Sequence, residues 1–326
     1  MQKNFLIVIK LLRKLFGYGI RIMNYLVTAS SGFVGANFFS QYKNFKGEYN
    51  FFSRDKNKSN SNIIYFDYFK DHLNELFFEN IDVVIHVAGF AHTEINSIKL
   101  KKECDELNYD FTKKLVLVAN KMNVKKFIFL SSVKAAGNLT GKNLDENAAS
   151  REIDFYGLSK KKAEDFLLNL STKSDMEIII LRSSLIYGNN MKGNLNYLQK
   201  LAKKGCLPRI NSTTDSQSMI HVNDVIKSLI FSAENTKIKT GIYIITDGIE
   251  YNIEKIFETF RGLSSNNLLN FRTPKVIFFI CSIIGSFFNL FFRFPFTYKS
   301  YIKLFSNCSF SSQKLRDLGY NSDYDL

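Results

Sequence analysis

Short apolar runs alternate with helical segments through the first half of the chain. The runs cover residues 25–27, 49–52, 63–66, 83–87, 127–130 and 178–181, and helical patterns such as residues 104–120 lie between them. Apolar runs this short, separated by helices, indicate parallel strands joined by helical crossovers. The pattern therefore predicts a doubly wound α/β parallel sheet.

A glycine-containing turn, TASSGFVG at residues 28–35, follows the first predicted strand. Glycines between a strand and a helix let the backbone approach a pyrophosphate, whose charge is held by free N–H groups at the helix N-terminus. The candidate phosphate contacts are Gly32, Phe33, Val34 and Gly35. Ala29 stands where the first of three glycines is usual, and its methyl group disfavours a positive φ. A plain strand-to-helix turn therefore stays an alternative.

Tyr156 and Lys160 form the second candidate site. Their separation of four residues puts both side chains on one face of a helix predicted to run to about Leu170. A phenol acts as a base near neutral pH only when its anion is stabilised, and a neighbouring ammonium group does this. Ser132 ends the fifth predicted strand, at the sheet edge where doubly wound folds bind ligands. The three residues together predict an acid/base site.

These features resemble the extended short-chain dehydrogenase/reductases, in their nucleotide-sugar epimerase/dehydratase branch, over about residues 24–325. The resemblance rests on the glycine turn, on Asn108, and on the segments HVAG (86–89), FLSSVKAAG (129–137), YGLSK (156–160), LIYGNNMKGN (185–194), MIHVNDV (219–225) and YIITDG (243–248). It implies a Rossmann fold with a smaller C-terminal substrate-binding domain. SSVKAAG, MKGN and the apolar C-terminal helix look most like bacterial enzymes that handle UDP-N-acetylhexosamines for surface polysaccharides.

The resemblance also implies a role for each matching residue. Tyr156 would exchange a proton with the sugar hydroxyl, Ser132 would hold that oxygen, and Lys160 would lower the tyrosine pKa and bind the nicotinamide ribose. Two further groups complete the expected site. The cofactor contacts would include Asp67 at the adenine, Ala88 and Ser183, and the substrate contacts would be Lys192, Asn194 and Gln217.

Three departures from the family pattern affect these expectations. Ala29 replaces a glycine, Ser183 and Ser184 stand where many relatives have proline, and Gln217 stands where relatives often place an arginine against the diphosphate. Loss of that arginine removes a charge-assisted bidentate contact. Arg209 and Lys192 are the candidates to replace it.

Cofactor choice is left open between NAD and NADP. An acid at the end of the second strand would hold the 2′-hydroxyl of NAD, whereas this chain has Ser53 and Arg54 there. Arg54 is compatible with the 2′-phosphate of NADP, or is a solvated loop residue beside Asp55.

The expected reaction is hydride chemistry at one sugar carbon. A 4,6-dehydratase of this family needs an acidic pair after the strand-end hydroxyl, but Val133 and Lys134 follow Ser132. The resemblance favours a 4-epimerase, because 4-epimerisation is the commonest use of this site in the family, with a 4-keto reductase as the alternative. A non-catalytic dinucleotide-binding sensor or scaffold is an alternative of another class. A pattern of metal ligands is not apparent, and His221 is expected to be a packed structural histidine.

We expect one dinucleotide-binding domain from residues 23–182 and about 221–247, and a substrate-binding domain from residues 183–220 and 248–326. The 326-residue length fits about two domains. Four scattered cysteines suggest a reducing compartment, so the protein is expected in the cytoplasm. Helix pairing into a homodimer is common among such relatives and is a further expectation.

The net charge of +14 is concentrated beside the two most apolar segments. Residues 1–22 carry five bases without an acid, and residues 271–326 carry a net +4. No nucleic-acid-binding module accompanies this charge, so an anionic membrane surface is the better candidate partner.

For each of the two apolar segments, the sequence allows more than one structural role. Residues 5–22 are a basic amphipathic anchor, an unstructured extension or sequence before the true start at Met23. Residues 276–292, with Thr273 as N-cap and Pro274 as first helical residue, are predicted to form a helix. That helix packs on the protein, docks on a membrane surface or spans the bilayer.

Overall fold

The computed structural model describes residues 22–57, 61–91, 95, 97–210, 215–262, 272–289 and 296–326. The strands are β1 (Asn24–Val27), β2 (Glu48–Ser53), β3 (Ile63–Tyr65), β4 (Val83–His86), β5 (Lys126–Ser132), β6 (Gly141–Leu144), β7 (Glu177–Ser183), β8 (Leu185–Tyr187), β9 (Arg209–Ile210), β10 (Ser216–His221), β11 (Gly241–Ile245), β12 (Glu250–Tyr251), β13 (Arg272–Thr273) and β14 (Asn307–Phe310). The helices are α1 (Phe33–Gln41), α2 (Ile98–Asp105), α3 (Phe111–Lys121), α4 (Phe155–Ser171), α5 (Asn194–Lys203), α6 (Val222–Glu234), α7 (Ile253–Gly262), α8 (Lys275–Phe288), α9 (Tyr298–Leu304) and α10 (Gln313–Arg316).

Seven strands form a wholly parallel sheet in the order β11-β7-β5-β4-β1-β2-β3. The chain runs outward from β1 through β2 to β3, then crosses to β4 on the other side of β1. Strand order therefore reverses between β1 and β4, and the crevice outside the carboxyl ends of such strands is where doubly wound sheets bind ligands. The predicted doubly wound fold is confirmed.

Both faces of this sheet are covered, which explains why its strands have near-continuous apolar runs. Neighbouring residues of β5 enter different cores, with Ile128 on one face and Phe129 on the other. Helices α1 and α6 contribute to the first core through residues such as Phe38 and Leu229. Helices α3 and α4 contribute to the second, for example through Leu167.

A second, five-stranded sheet is built from β12-β10-β14-β6, with β8 also paired to β10. Strand β12 runs antiparallel to β10, whereas β14 and β8 run parallel to it. The chain between β10 and β12 returns to the main sheet as α6 and β11. The predicted division into domains stays a prediction.

The predicted C-terminal helix is present, but its start differs by one residue. Pro274 occupies the N-cap position with extended backbone, φ −61° and ψ 148°, and α8 begins at Lys275. Thr273 is not the N-cap because it pairs with Ile210 in a short strand. Residues 290–292 of the prediction lie outside the described residues, as do residues 5–21 of the N-terminal segment. Across the described ranges, no helix combines the length and apolar character needed to cross a bilayer.

Candidate active site

A cleft of about 700 Å³ opens at the carboxyl ends of the main sheet and is lined by both sheets. Most of the candidate site residues line it, namely Gly32, Phe33, Val34, Gly35, Arg54, Ala88, Ser132, Tyr156, Lys160, Ser183, Lys192 and Gln217. Asp67 does not line it. Asn194 begins α5, and its side chain lies outside the described part of the structure. The tertiary structure thus brings twelve dispersed residues to one cavity.

Helix α4 positions the tyrosine and the lysine. Its N-cap is Asp154, whose carboxylate accepts a 2.8 Å hydrogen bond from the Gly157 N–H. Tyr156 therefore lies in the first turn and Lys160 one turn later, both facing the cleft. The Lys160 ammonium donates to the Leu130 carbonyl at 3.0 Å and lies 4.6 Å from the Phe129 ring centroid. The lysine is thereby anchored to strand β5.

A close backbone approach holds α4 against the turn that follows β5. A Cβ added at Gly157 would lie 2.2 Å from the Lys134 carbonyl oxygen, so only glycine fits at this contact. The Ser132 hydroxyl begins that turn by accepting a 3.3 Å hydrogen bond from the Lys134 N–H. The contact places the first turn of α4, with Tyr156, beside the turn that Ser132 begins, and both side chains line the cleft.

The pKa of Tyr156 departs from the expected direction. Burial raises it above the ordinary value for a phenol, and this outweighs the lowering caused by the hydrogen bond with Ser132. Burial also lowers the pKa of Lys160 to about 8, although Cys104 and Glu164 oppose that shift. In the free protein the tyrosine is therefore protonated near neutral pH, and the expectation that Lys160 lowers its pKa does not describe this state.

The glycine turn after β1 adopts a backbone geometry that a glycine usually supplies. Ala29 has φ +62°, in the left-handed region. Its carbonyl accepts a 2.9 Å hydrogen bond from the Gly32 N–H, and a Cβ at Gly35 would lie 1.9 Å from the same oxygen. The Ala29 methyl group does not close the cavity, since Ala29 and Gly32 both line it.

The adenine side of the cleft differs from the expectation. The Asp67 carboxylate accepts a 3.1 Å hydrogen bond from the Phe69 N–H and pairs with Lys70 at 3.9 Å. Its neighbours Tyr68 and Phe69 line the cleft instead. Arg54 is exposed at the same end, with its guanidinium carbon 5.8 Å from the Tyr68 ring centroid. The sequence analysis did not predict Tyr68 as a site residue. The available sequence signal was the position of an aromatic residue directly after the third strand.

Gln217 and Lys192, the two expected substrate contacts whose side chains the structure describes, both line the cleft. The Gln217 amide donates to the Ser306 carbonyl at 2.7 Å, which ties β10 to the start of β14. Arg209 does not line the cleft and pairs with Glu258 at 3.3 Å. Of the two candidate replacements for the missing arginine, Lys192 is therefore the one placed at the cavity. No pattern along the chain pointed to Ser306 or to its neighbour Cys308, which also lines the cavity.

Asn108 supports the site from an irregular helical turn. The single helix predicted over residues 104–120 is divided by a π-helical turn, Glu106–Asp110. Such turns are frequent at functional sites. The side-chain carbonyl oxygen of Asn108 accepts from the Phe90 N–H at 2.7 Å, and its amide donates to the Ser159 hydroxyl at 2.9 Å. It joins the loop after β4 to helix α4.

A buried ion pair supports the end of β5. The Arg182 guanidinium donates three hydrogen bonds to Glu164, at 2.7, 3.1 and 3.3 Å, and the Ser131 hydroxyl donates to the same carboxylate at 2.6 Å. Both charged side chains are almost completely buried. Glu164 lies four residues after Lys160, and this spacing was the available sequence signal.

Comparison with known proteins agrees with this geometry. Residues 25–246 match the model of the NAD dependent epimerase/dehydratase family. A UDP-glucose 4-epimerase of Vibrio cholerae is 33% identical over 184 residues, which cover 53% of this chain and 54% of that protein. An N-acetyl-alpha-D-glucosaminyl-diphospho-ditrans,octacis-undecaprenol 4-epimerase of Escherichia coli O157:H7 is 26% identical over 177 residues, covering 54% and 52%. The alignments thus span about half the length of these relatives.

Among solved structures, the UDP-glucuronic acid 4-epimerase from Bacillus cereus, in complex with UDP-glucuronic acid and NAD, superposes with a TM-score of 0.71. It is 18% identical, and the match covers 93% of this chain and 95% of that one. This likeness concerns the fold. The family match, which extends over two thirds of the sequence and contains the glycine turn and the tyrosine–lysine pair, shows that the chain belongs to the NAD dependent epimerase/dehydratase family.

Proposed function

We propose that the protein is an NAD(P)-dependent 4-epimerase of a UDP-hexose or UDP-N-acetylhexosamine. The observation that carries the proposal is the convergence of Ser132, Tyr156 and Lys160 on one cleft that also contains the phosphate-binding turn. The cavity, at about 700 Å³, has a volume within the usual range of small-molecule sites. The names of the Vibrio and Escherichia relatives support 4-epimerisation as the reaction.

The residues present fit a dinucleotide. Gly35 lets helix α1 approach the Ala29 carbonyl, and Gly89, where an added Cβ would lie 3.0 Å from the Lys160 ammonium, makes room for the lysine; both glycines line the cleft. Gly32, Phe33 and Val34 would hold the diphosphate at the start of α1, and Lys160 would hold the ribose. When bound, the nicotinamide supplies the hydride acceptor and donor.

The protein's own part is proton transfer and positioning. Tyr156 exchanges a proton between its hydroxyl and the sugar oxygen, and Ser132 donates a hydrogen bond that keeps this oxygen in place. Because burial raises the pKa of Tyr156, its anion needs a positive charge to stabilise it, and Lys160, one turn later on the same helix face, supplies that charge. Lys160 keeps that charge only below a pKa of about 8.

The cleft is poorly equipped for 4,6-dehydration. Val133 and Lys134 line it directly after Ser132, where a dehydratase of this family would need an acidic pair. Among the described lining residues the acid is Glu103, which pairs with Lys99 at 3.9 Å. One-carbon hydride chemistry is the better fit.

The test is incubation of purified protein with UDP-N-acetylglucosamine without added cofactor. We expect interconversion at C4 with many turnovers per protein. Tyr156→Phe should lose turnover by about a hundredfold or more while still binding dinucleotide. Tyr197→Phe, at an exposed tyrosine of α5 away from the cleft, is the matched control. Unchanged turnover in Tyr156→Phe would refute the assigned role.

A 4-keto reductase is the second candidate, and Arg54 at the cofactor end of the cleft favours it. Stoichiometric NADPH oxidation with a 4-keto sugar, without C4 interconversion, would establish the reductase and exclude the epimerase. Dinucleotide binding with neither activity would indicate the non-catalytic sensor or scaffold.

Cofactor choice has its own experiment. We expect Arg54→Ser to weaken NADP binding about tenfold or more, because a charge-assisted hydrogen bond to the 2′-phosphate is lost, and to leave NAD binding within about twofold. Lys56→Ser, two residues further along the same loop, is the control. Equal losses for both dinucleotides would show that Arg54 does not read the 2′ position. The polysaccharide role, the cytoplasmic location and the homodimer stay predictions.

A further inference from the structure

Helix α8 exposes most of its large apolar side chains, although Phe278 is partly buried against the core. Its inward positions are Ser282, fully buried, and Gly285, whereas large apolar side chains point outward. Val276 is 64% exposed and Phe287 60%, and Ile280, Ile283 and Ile284 are about half exposed. A helix at the surface of a water-soluble protein normally buries its apolar side. This helix therefore leaves exposed the side that water disfavours.

Helix α9 extends the same surface. The Ser286 hydroxyl accepts a 2.8 Å hydrogen bond from the Tyr298 N–H, which holds the start of α9 beside α8. The Phe279 ring lies against Tyr298, with centroids 6.2 Å apart, and both Tyr298 and Ile302 are exposed. We call the outward residues Val276, Ile280, Ile283, Phe287, Tyr298 and Ile302 the α8–α9 face.

The segment that contains α8 and α9 is basic, although Lys275 pairs with Asp215 at 3.2 Å and the buried Arg261 pairs with Glu258 at 3.9 Å. From Thr259 to Arg316 the sequence has no Asp or Glu, but it has eight bases, namely Arg261, Arg272, Lys275, Arg293, Lys299, Lys303, Lys314 and Arg316. Arg272 lies exposed just before α8. An apolar helix face within a basic, acid-free segment is complementary to an anionic lipid surface, because the lipid supplies both the apolar phase and the counter-charge.

The length of α8 determines its orientation relative to the bilayer. Helix α8 has 14 residues, so it is about 21 Å long and shorter than the roughly 30 Å hydrocarbon core of a bilayer. It would lie in the plane of the surface, with an aromatic residue such as Tyr298 at headgroup level.

The face adjoins the candidate active site through α9. Ser300 and Leu304 of that seven-residue helix line the cleft, while Tyr298 and Ile302 belong to the α8–α9 face. A helix of seven residues is only about 10 Å long, so the cleft would lie within that distance of a surface covering the face.

We propose that the α8–α9 face docks on an anionic bilayer surface and places the substrate cleft beside the lipid headgroups. This docking does not depend on the proposed reaction. A negative epimerase assay would not contradict membrane docking, and a lack of membrane docking would not contradict the proposed reaction.

The test is flotation of the full chain with vesicles of neutral phosphatidylcholine, with and without anionic phosphatidylglycerol. We expect binding to the anionic vesicles to exceed binding to the neutral ones, and to weaken as salt screens the basic segment. The triple variant Ile280→Ser, Ile283→Ser, Phe287→Ser should lose binding about tenfold or more. These side chains are already exposed, so the fold should persist.

The matched control is Leu76→Ser, Ile98→Ser, Leu117→Ser, which removes three exposed apolar residues elsewhere, and it should bind like the parent. Three outcomes would overturn the proposal: no lipid binding by the parent, equal loss in both triple variants, or binding abolished by deletion of residues 1–21 but kept by the α8 variant. A parent dimer that binds no vesicles and becomes monomeric in the α8 variant would instead assign the face to a second copy of the chain.

Discussion

The backbone N–H of Ala29 donates a 2.6 Å hydrogen bond to the Tyr68 hydroxyl while Ala29 holds φ +62°. The bond joins the turn after β1 to the loop after β3, and both residues line the cleft. For a residue with a side chain this backbone region costs about 1–2 kcal/mol. The surrounding hydrogen bonds therefore hold the turn in a conformation that alanine alone would not choose.

Replacing Ala29 by glycine should stabilise the protein by about 0.5–1 kcal/mol, because the left-handed strain is relieved by more than the unfolded chain gains in entropy. Urea denaturation measures the change. Ala36→Gly in helix α1 is the control and should destabilise by about 1 kcal/mol, since its backbone is helical. Destabilisation of similar size by both substitutions would contradict strain at residue 29.

Glu164→Gln should destabilise the protein by about 3–5 kcal/mol, because the buried Arg182 guanidinium loses its counter-charge. Asp165→Asn, one residue away on α4, removes an exposed pair with Lys161 and should cost less than about 1 kcal/mol. Thermal or urea unfolding compares the two variants. A small, equal effect would mean that the buried pair carries little stability.

Gly157→Ala should destabilise by about 1–3 kcal/mol and lower turnover, since the new Cβ displaces the Lys134 carbonyl and moves Tyr156 relative to Ser132. Gly262→Ala is its control, because nothing lies within 4 Å of a Cβ at that helix end. Unfolding curves and activity assays measure both effects. Equal behaviour of the two variants would contradict the close approach.

Lys160 should make stability depend on alkaline pH. Its pKa is about 8 in the folded protein, whereas the ordinary pKa of a lysine is 10.5, so between these values the unfolded chain binds more protons. The free energy of unfolding therefore rises with pH between these two pKa values. At lower pH the folded protein has to keep the buried Lys160 ammonium charged, which is unfavourable. Relative to Lys160→Met, the parent should gain stability between about pH 8 and about pH 10. Parallel pH profiles of the two proteins would refute the shift.

Local pattern was sufficient for six of the seven strands of the main sheet; β11 was not among the predicted runs. Runs such as residues 127–130 predicted a buried strand because both faces of that strand are covered, and Ile128 and Phe129 do enter opposite cores. The tyrosine–lysine spacing likewise predicted one helix face. Asp67 was expected to line the cleft, but it does not. The direction of a side chain after the end of a strand depends on the conformation of the loop, and here the loop directs Tyr68 into the cavity.

The sequence by itself determined the alternation of strands and helices in the first half of the chain, the glycine turn and the candidate residues Ser132, Tyr156 and Lys160, because each depends on short-range periodicity or on fixed spacing along one element. Tertiary structure alone decided the direction of the Tyr156 pKa, the pairing of Glu164 with Arg182 and the outward apolar side of α8. Those properties depend on which distant segments of the chain bury a group or leave it exposed to water. The spacing of residues along the sequence does not specify these contacts.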